Sequence, residues 1–173
     1  FVSSYFAEKY GAEKFPRELA IGLSKTAQLR YGENPHQQAA LYRRIIQTST
    51  LVDARQLNGK ELSYNNYLDA DAAIQIVREF DGPAATIVKH GNPCGVACAG
   101  EIGMAFENAF ECDSVSAFGG IIAMNRNCDL ATAKKITLFF NEVVIAPGYD
   151  ADALEELKKK KNLRVMEMEI SKN

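Results

Sequence analysis

The chain has 173 residues, of which 47% are hydrophobic and 24% are charged, and its formal net charge is −2. This composition is typical of a globular domain with its own core, and it provides no bulk electrostatic attraction to nucleic acids or membrane surfaces. The apolar runs, such as residues 119–124, are much too short to cross a bilayer.

The first part of the chain predicts a helix followed by extended segments. Residues 1–10 have an amphipathic pattern, and Gly11 is a typical residue at a helix end. Extended structure is predicted over 17–30, and residues 33–43 predict a turn that leads into another extended segment. Because the chain begins at Phe1, already within the helical pattern, we expect a piece of a longer protein.

A turn and a helix come next. The pair Asn58-Gly59 is a strong turn signal. The pattern over 66–80 predicts a helix. Asp69 and Asp71 would lie in its first turn, where the helix dipole favours negative charge.

From residue 84 onward, apolar runs rich in β-branched residues alternate with helical periods. This alternation predicts an α/β layered fold with a largely parallel sheet. The predicted strands are 84–89, 119–125, 142–146 and 163–169, and the predicted helices lie near 101–112, 130–140 and 151–160.

Three unusual turns lie at or near the ends of these strands, over 89–91, 116–120 and 147–149. In parallel α/β sheets, ligands bind beyond the carboxyl ends of the strands. The turns therefore indicate a binding site at one edge of the sheet.

Residues 90–98 have some residues of a zinc-dependent nucleobase deaminase, but not their spacing. Such a site needs His-x-Glu followed by Pro-Cys-x-x-Cys, whereas no Glu follows His90 at that distance and three residues separate the first two cysteines. We therefore predict no zinc site, and we interpret the cysteines as reduced core residues of a cytoplasmic protein. They are Cys94, Cys98, Cys112 and Cys128.

Lys89 and His90 are the first candidates for catalysis. An imidazole can accept a proton near neutral pH, and an adjacent ammonium would favour the neutral ring and stabilise an oxyanion on an attacked carbonyl. Such a pair suits the attack of a weak amine on an acyl donor. Taken alone, the dipeptide fits better with a solvated lysine and a histidine that is hydrogen-bonded within its turn.

Residues 29–37 are the second candidate. The guanidinium of Arg30 suits a phosphate or a carboxylate, and Tyr31 could stack on a ligand or form a hydrogen bond with it. The alternative, favoured for this segment alone, is a structural turn with Arg30 in a surface ion pair.

The chain also contains four motifs in a characteristic order: LRYGENPHQ, VKHGNPCG, VSAFGGIIA and VVIAPGY. In this order and spacing, the chain resembles the AICAR transformylase/IMP cyclohydrolase family of bifunctional purine-synthesis enzymes. The resemblance extends over residues 17–173. Any one motif is weak evidence, whereas the four together are specific.

The resemblance implies an activity and a fold. The family transfers a formyl group from 10-formyltetrahydrofolate to the 5-amino group of AICAR, giving FAICAR, and the same protein closes the ring of IMP. The implied fold is a cytidine deaminase-like α/β/α sandwich without a catalytic zinc. Active sites form at a homodimer interface, and no nucleic acid or membrane partner is implied.

The resemblance also implies roles for single residues. His90 matches the proton acceptor of the family, and Lys89 matches its transition-state stabiliser. Glu142 stands where the family often has Asp, so its carboxylate has one more methylene of reach. The residues that match ligands of AICAR are Arg30, Tyr31, Gly119 and Glu142.

The resemblance implies a division of the chain as well. Residues 1–16 would be the tail of an upstream cyclohydrolase domain, and residues 17–173 the first transformylase subdomain. The second subdomain, with most of the folate site, is absent from this sequence. We therefore expect part of a site that needs the missing half, and the alternative is a catalytically inert nucleotide-binding or dimerisation module.

Overall fold

The computed structural model describes residues 5, 6, 9, 21–44 and 50–170. The predicted domain boundary at residue 16, and most of the predicted helix over 1–10, lie outside this part. Within it, no helix is both long enough and apolar enough to cross a membrane.

The described residues form eight strands, four α-helices and a short 3-10 helix at Leu51–Asp53. Each strand and helix predicted from residue 84 onward is present, with ends that differ by a few residues. The strands are β1 (Leu23–Gln28), β2 (Ala40–Arg44), β3 (Arg55–Asn58), β4 (Ala84–Lys89), β5 (Asn92–Cys98), β6 (Ile121–Met124), β7 (Val143–Ala146) and β8 (Arg164–Glu167). The helices are α1 (Tyr64–Arg78), α2 (Ile102–Cys112), α3 (Leu130–Ile136) and α4 (Ala151–Lys158).

Six of the strands form one mixed sheet in the order β3-β8-β7-β6-β4-β5. The pairs β6–β7 and β7–β8 are parallel, whereas β3–β8, β4–β6 and β4–β5 are antiparallel. The predicted α/β fold is confirmed, but the prediction of a largely parallel sheet is wrong. Strand β3, which the sequence pattern did not predict, adds the antiparallel pair with β8. For the two pairs of β4, the reason is β5, which was not predicted either. It reverses the chain directly after β4, so that β4 runs against both of its neighbours.

Helices cover both faces of this sheet. One face packs against α2, α3 and α4, and the other face packs against α1, where Ile74 and Val77 are buried. Side chains alternate between the two faces along a strand, so a strand covered on both faces is apolar at each position. The strands β6 and β7 are buried at all their residues, which explains why their sequences are continuous apolar runs.

The remaining two strands, β1 and β2, form a separate antiparallel hairpin. The backbone N–H of Leu29 donates to the carbonyl of Ala39 at 2.9 Å and closes the loop between them. An ion pair between Arg43 and Asp53, 3.0 Å long, connects β2 to the 3-10 helix. The hairpin is thereby attached next to the start of α1.

Helix α1 begins at Tyr64, before its predicted start, and its N-cap is well formed. Asn66 N–H donates to Ser63 Oγ at 3.2 Å, and Ser63 N–H donates to Asn66 Oδ1 at 3.0 Å, which is a capping box. The predicted placement of Asp69 and Asp71 in the first turn is therefore wrong, because the first turn is occupied by the residues from Tyr64 onward.

Strand β5 and helix α2 approach so closely that Gly95 has no room for a side chain. A Cβ atom at Gly95 would lie 1.8 Å from the carbonyl oxygen of Ala109, a backbone atom of α2. We expect Gly95→Ala to lower the free energy of unfolding by about 3 kcal/mol, since the helix or the strand must move. Urea denaturation of the chain measures this. Gly100→Ala is the control, because its Cβ would meet nothing within 4 Å, and equal losses in both variants would contradict the expectation.

The four cysteines differ in burial, so the interpretation of all of them as core residues is only partly correct. All are free thiols. Cys128 is buried and Cys94 is half-buried, whereas Cys98 and Cys112 are exposed. Burial raises the pKa of the Cys128 thiol to about 12, so that this thiol stays protonated and unreactive at neutral pH.

Alkylation of the native chain should follow this order of exposure. We expect iodoacetamide to modify Cys98 and Cys112 first, Cys94 more slowly because burial raises its pKa, and Cys128 only after unfolding. Peptide mass spectrometry measures the modified fraction of each cysteine, and the chain unfolded in guanidinium serves as the control. Rapid modification of Cys128 in the native chain would show that its core position is wrong.

Candidate active site

A two-residue turn at His90 and Gly91 joins β4 to β5. Their φ angles are 54° and 75°, and His90 is the only residue other than glycine with a positive φ in the described part of the chain. Two positive φ angles suit the twist of a tight hairpin. A residue with a Cβ pays roughly 1–2 kcal/mol for the left-handed conformation, so this turn needs stabilising contacts from elsewhere.

Asp69 of α1 supplies such contacts to the backbone of the turn. Its Oδ2 accepts a hydrogen bond from the N–H of His90 at 3.0 Å, and its Oδ1 accepts one from the N–H of Gly91 at 2.7 Å. On the other side, Asn92 Nδ2 donates to the carbonyl of His90 at 3.0 Å. The backbone of the turn is therefore held, while His90 itself remains exposed.

Lys89, the last residue of β4, contacts the loop that precedes β6. Its Nζ donates to the carbonyl of Phe118 at 2.8 Å. The next residue, Gly119, has a φ of 77° and donates its N–H to the carbonyl of Phe140 at 2.8 Å. Because β4 and β6 are antiparallel, the carboxyl end of β4 meets the start of β6. The structure thus brings together three predicted site residues, namely Lys89, His90 and Gly119.

An open cavity with a volume of about 450 Å³ lies beside this turn. The N–H of Ser116 donates to Asp113 Oδ1 at 2.9 Å, and hydrogen bonds from Ser116 hold the pKa of Asp113 below its ordinary value. The cavity therefore has a carboxylate as well as the Lys89 ammonium on its wall. Its lining residues are Lys89, His90, Asn92, Pro93, Cys94, Asp113 and Ser116.

A larger cavity, of about 570 Å³, is bounded by Phe118, Phe140 and the lysines of 159–161. Among the described residues, its only ionisable lining residues are these three lysines, which are exposed. Lys159 Nζ forms an ion pair with Glu156 Oε2 at 2.6 Å. We place the candidate chemistry at the smaller cavity, because that cavity has a possible base and a cation side by side.

Glu142 lies at the start of β7, next to the same loop. Its N–H donates to the carbonyl of Gly120 at 3.1 Å. Its Oε2 accepts hydrogen bonds from Asn66 Nδ2 at 2.9 Å and from Arg164 Nη1 at 3.3 Å. Both contacts use one oxygen of the carboxylate, and within the described residues its other oxygen accepts no hydrogen bond.

Arg30 and Tyr31 lie in the loop between β1 and β2. The guanidinium carbon of Arg30 is 5.5 Å from the centre of the Tyr31 ring, within the range of a cation–π contact. A long hydrogen bond of 3.5 Å from Asn65 Nδ2 to the carbonyl of Glu33 connects this loop to α1. Among the described residues, no hydrogen bond or ion pair joins Arg30 or Tyr31 directly to the Lys-His pair. The structure therefore places them on a different element from the Lys-His pair.

Helix α1 connects these separate parts. Its residues Asn65, Asn66 and Asp69 contact the β1–β2 loop, Glu142 and the turn after β4, respectively. None of them has a role in the site predicted from the sequence. The available signal was their spacing, since side chains three and four positions apart share one face of a helix, and polar residues on an otherwise apolar helix face are unusual.

The predicted turn over 147–149 lies at the opposite edge of the sheet. It follows the carboxyl end of β7, whereas β4 ends where β6 and β7 begin. The hydroxyl of Tyr149 is 2.8 Å from the carbonyl of Met166 and 3.1 Å from that of Val144, so it is engaged within the sheet. The prediction that all three turns form one site is wrong for the same reason that the sheet is mixed.

As for metals, the described residues contain no group of three or more His, Cys, Asp or Glu side chains that could hold an ion. His90 and Cys94 both line the cavity, while Cys98 lies at the far end of β5, where it pairs with Ala84 rather than with the turn.

Comparisons with known proteins give the family context. A family model described as the AICARFT/IMPCHase bienzyme matches residues 1–173. Similar proteins named "Bifunctional purine biosynthesis protein PurH" occur in Oceanobacillus iheyensis, with 48% identity over 171 residues, and in Bacillus cereus, with 51% identity over 172 residues. These matches cover 98% and 99% of the chain but only 33% and 34% of the relatives. The chain thus spans about a third of the length of the relatives it matches.

Proposed function

We propose that residues 17–173 are the first subdomain of an AICAR transformylase, because the chain belongs to the AICARFT/IMPCHase bienzyme family. Residues 1–16 are then the end of an upstream cyclohydrolase domain. One observation carries the proposal, which is that Lys89 and His90 lie side by side on the wall of an open cavity. The order of strands and helices on both faces of the sheet supports a cytidine deaminase-like layered fold.

The proposed reaction is formyl transfer from 10-formyltetrahydrofolate to the 5-amino group of AICAR, a late step of IMP synthesis. The amine nitrogen bonds to the formyl carbon, and the bond from that carbon to N10 of the folate breaks. The amine loses a proton, N10 gains one, and the products are FAICAR and tetrahydrofolate. Conjugation with the imidazole ring makes the amine a weak nucleophile, so the reaction needs a base and a stabiliser of the developing oxyanion.

His90 is the proposed proton acceptor, and Lys89 is the proposed stabiliser of the oxyanion. The hydrogen bond from Lys89 Nζ to the carbonyl of Phe118, 2.8 Å long, holds the ammonium in place with a neutral acceptor. An ammonium has three donors, so two remain for the formyl oxygen and solvent. The exposed imidazole on the turn can approach the amine of a bound nucleotide without rearrangement of the strands.

The proposed ligands of AICAR come from several elements of the chain. The guanidinium of Arg30 suits the phosphate or the carboxamide side of the nucleotide, and Tyr31 packs against that guanidinium. The N–H of Gly119 is engaged with Phe140, which leaves its carbonyl for the nucleotide. Glu142 has one carboxylate oxygen engaged by Asn66 and Arg164, and the second oxygen is the proposed contact.

The complete protein is proposed to be a cytoplasmic homodimer that also catalyses the IMP cyclohydrolase step. This chain would supply only part of the transformylase site, and most of the folate site would come from the missing half. A catalytically inert nucleotide-binding or dimerisation module is the alternative for the chain by itself. No metal takes part in the proposed mechanism, and no nucleic acid or membrane partner is included.

Activity should depend on the rest of the protein. We expect no measurable formyl transfer from 10-formyltetrahydrofolate to AICAR by the 173-residue chain. We expect turnover by an extended protein, in which the chain is completed to the full length of its relatives. Absorbance of the tetrahydrofolate formed measures the rate. If both proteins fold and neither is active, the transformylase proposal fails and the binding-module alternative is favoured.

Substitutions in the extended protein should separate the roles of the Lys-His pair. His90→Ala should lower formyl transfer by about 100- to 10,000-fold, the range for loss of a general base. Lys89→Ala should lower kcat more than it weakens AICAR binding, because its charge acts on the transition state. Steady-state kinetics and AICAR titration measure both effects.

Lys134→Ala is the control for these variants, since Lys134 is an exposed lysine of α3, away from the cavity. We expect its rate to stay within about twofold of the unsubstituted protein. A near-normal rate in His90→Ala would remove His90 from the role of proton acceptor. A loss of AICAR affinity alone in Lys89→Ala would show that Lys89 only binds the substrate.

A further inference from the structure

We propose that Asp69 is a positioning residue, whose carboxylate holds the left-handed turn that presents His90 to the cavity. This inference rests on the proposed function of His90 as proton acceptor. It adds a residue on another element, α1, to the machinery for formyl transfer. Asp69 does not line the cavity, so we expect it to act through the turn rather than on the substrate.

The two hydrogen bonds that Asp69 accepts are matched to the shape of the turn. They come from successive backbone N–H groups, those of His90 and Gly91, at 3.0 and 2.7 Å. Each oxygen of the carboxylate takes one of them, so the whole carboxylate is used. Hydrogen bonds to an ionised acceptor are shorter and stronger than neutral ones, and they point at the one place in the described chain where a side-chain-bearing residue has a positive φ.

The hydrogen bonds to Asp69 stabilise the strained backbone conformation of His90. A histidine in an unsupported loop would leave the left-handed region for a more favourable backbone conformation, and its imidazole would then point elsewhere. The carboxylate compensates for that strain only while both N–H groups converge on it. Residues with a strained backbone conformation persist where the surrounding structure holds them, and they are concentrated at functional sites.

Helix α1 offers a rigid support for the carboxylate. Asp69 is followed by the fully buried Ala70, and Ala73 and Ile74 on the next turn are buried against the sheet. Asp69 itself is half-buried, while its two hydrogen bonds to the turn are exposed to solvent. Core packing thus determines the distance between the helix and the end of β4. It therefore also determines the position of the turn relative to Asp69.

Lys89 is held independently of Asp69. Its backbone belongs to β4 and pairs with Asn92, and its Nζ is bonded to the carbonyl of Phe118. Removing the carboxylate should therefore displace His90 while Lys89 stays in place. Asp69 should affect the reaction only by positioning the imidazole of His90. Its effect can therefore be distinguished from a general loss of structure.

Asp69→Asn in the extended protein tests the effect on the reaction. Asparagine has the same size, but it offers one acceptor oxygen and turns an N–H₂ group towards a backbone N–H. We expect kcat to fall about 10- to 100-fold through misplacement of the base, with KM for AICAR changed by less than about threefold. Asp69→Glu keeps both acceptors and should have a higher kcat than Asp69→Asn.

Two comparisons distinguish positioning from a structural role. In a His90→Ala background, Asp69→Asn should lower kcat by less than about threefold, because coupled residues are not additive. Asp71→Asn is the matched control, since Asp71 is an exposed aspartate on the same helix with no hydrogen bond to the turn in the described residues. Its kcat should stay within about twofold of the unsubstituted protein.

Amide hydrogen exchange on the 173-residue chain tests the contact without any activity. Asp69→Asn should raise the exchange rates of the His90 and Gly91 amides by about tenfold or more, as for hydrogen bonds that open locally. The amide of Ile87, within β4, should be unaffected, and Asp71→Asn should change neither group. If Asp69→Asn does not fold, Asp69→Glu gives the same comparison with smaller changes.

Unchanged exchange at His90 and Gly91 in Asp69→Asn would overturn the inference. So would an equal loss of kcat from Asp69→Asn in the presence and in the absence of the His90 imidazole. If the unsubstituted extended protein does not transfer formyl groups, the proposed function fails. In that case, the exchange rates alone decide whether Asp69 holds the turn.

Discussion

The reversal of the chain after β4 is the constraint on which the rest of the structure depends. Because β4 pairs antiparallel with both β5 and β6, its carboxyl end lies where β6 and β7 begin. Lys89 can therefore reach the carbonyl of Phe118, and Glu142 lies against the loop that contains Gly120. A β4 strand parallel to β6 would put the Lys-His pair at the opposite edge, beside the turn of Tyr149 and away from Gly119 and Glu142.

Helix α1 joins the core to this edge. Its apolar residues pack on the sheet, and two polar residues near its start, Asn66 and Asp69, contact Glu142 and the turn after β4. The free energy of apolar burial on one face of the helix thus determines where its polar groups lie. Buried or half-buried polar groups are costly unless they are hydrogen-bonded, and here each has a partner that belongs to the candidate site.

The VKHGNPCG motif contains both the candidate catalytic residues and glycines that the turn and the packing require. Lys89 and His90 present their side chains at the cavity, and Gly91 takes a φ of 75° with open space around it. Gly95 is needed for a different reason, since α2 leaves no room for a Cβ atom there. Glycine is therefore favoured at position 91 by the backbone conformation and required at position 95 by the lack of space, although the two positions are close in the sequence.

The sequence by itself determined the candidate residues and, apart from β5, the strands and helices from residue 84 onward. Strands such as β6 and β7 were predictable because burial on both faces makes each position apolar, and the family follows from four motifs, including the one that contains Lys89 and His90. Only the tertiary structure decided the direction of β4, the edge at which the candidate site lies and the contacts of Asp69. Strand pairing and a hydrogen bond between residues 69 and 90 join segments that are distant in the chain, and no local period of the sequence encodes which segments meet.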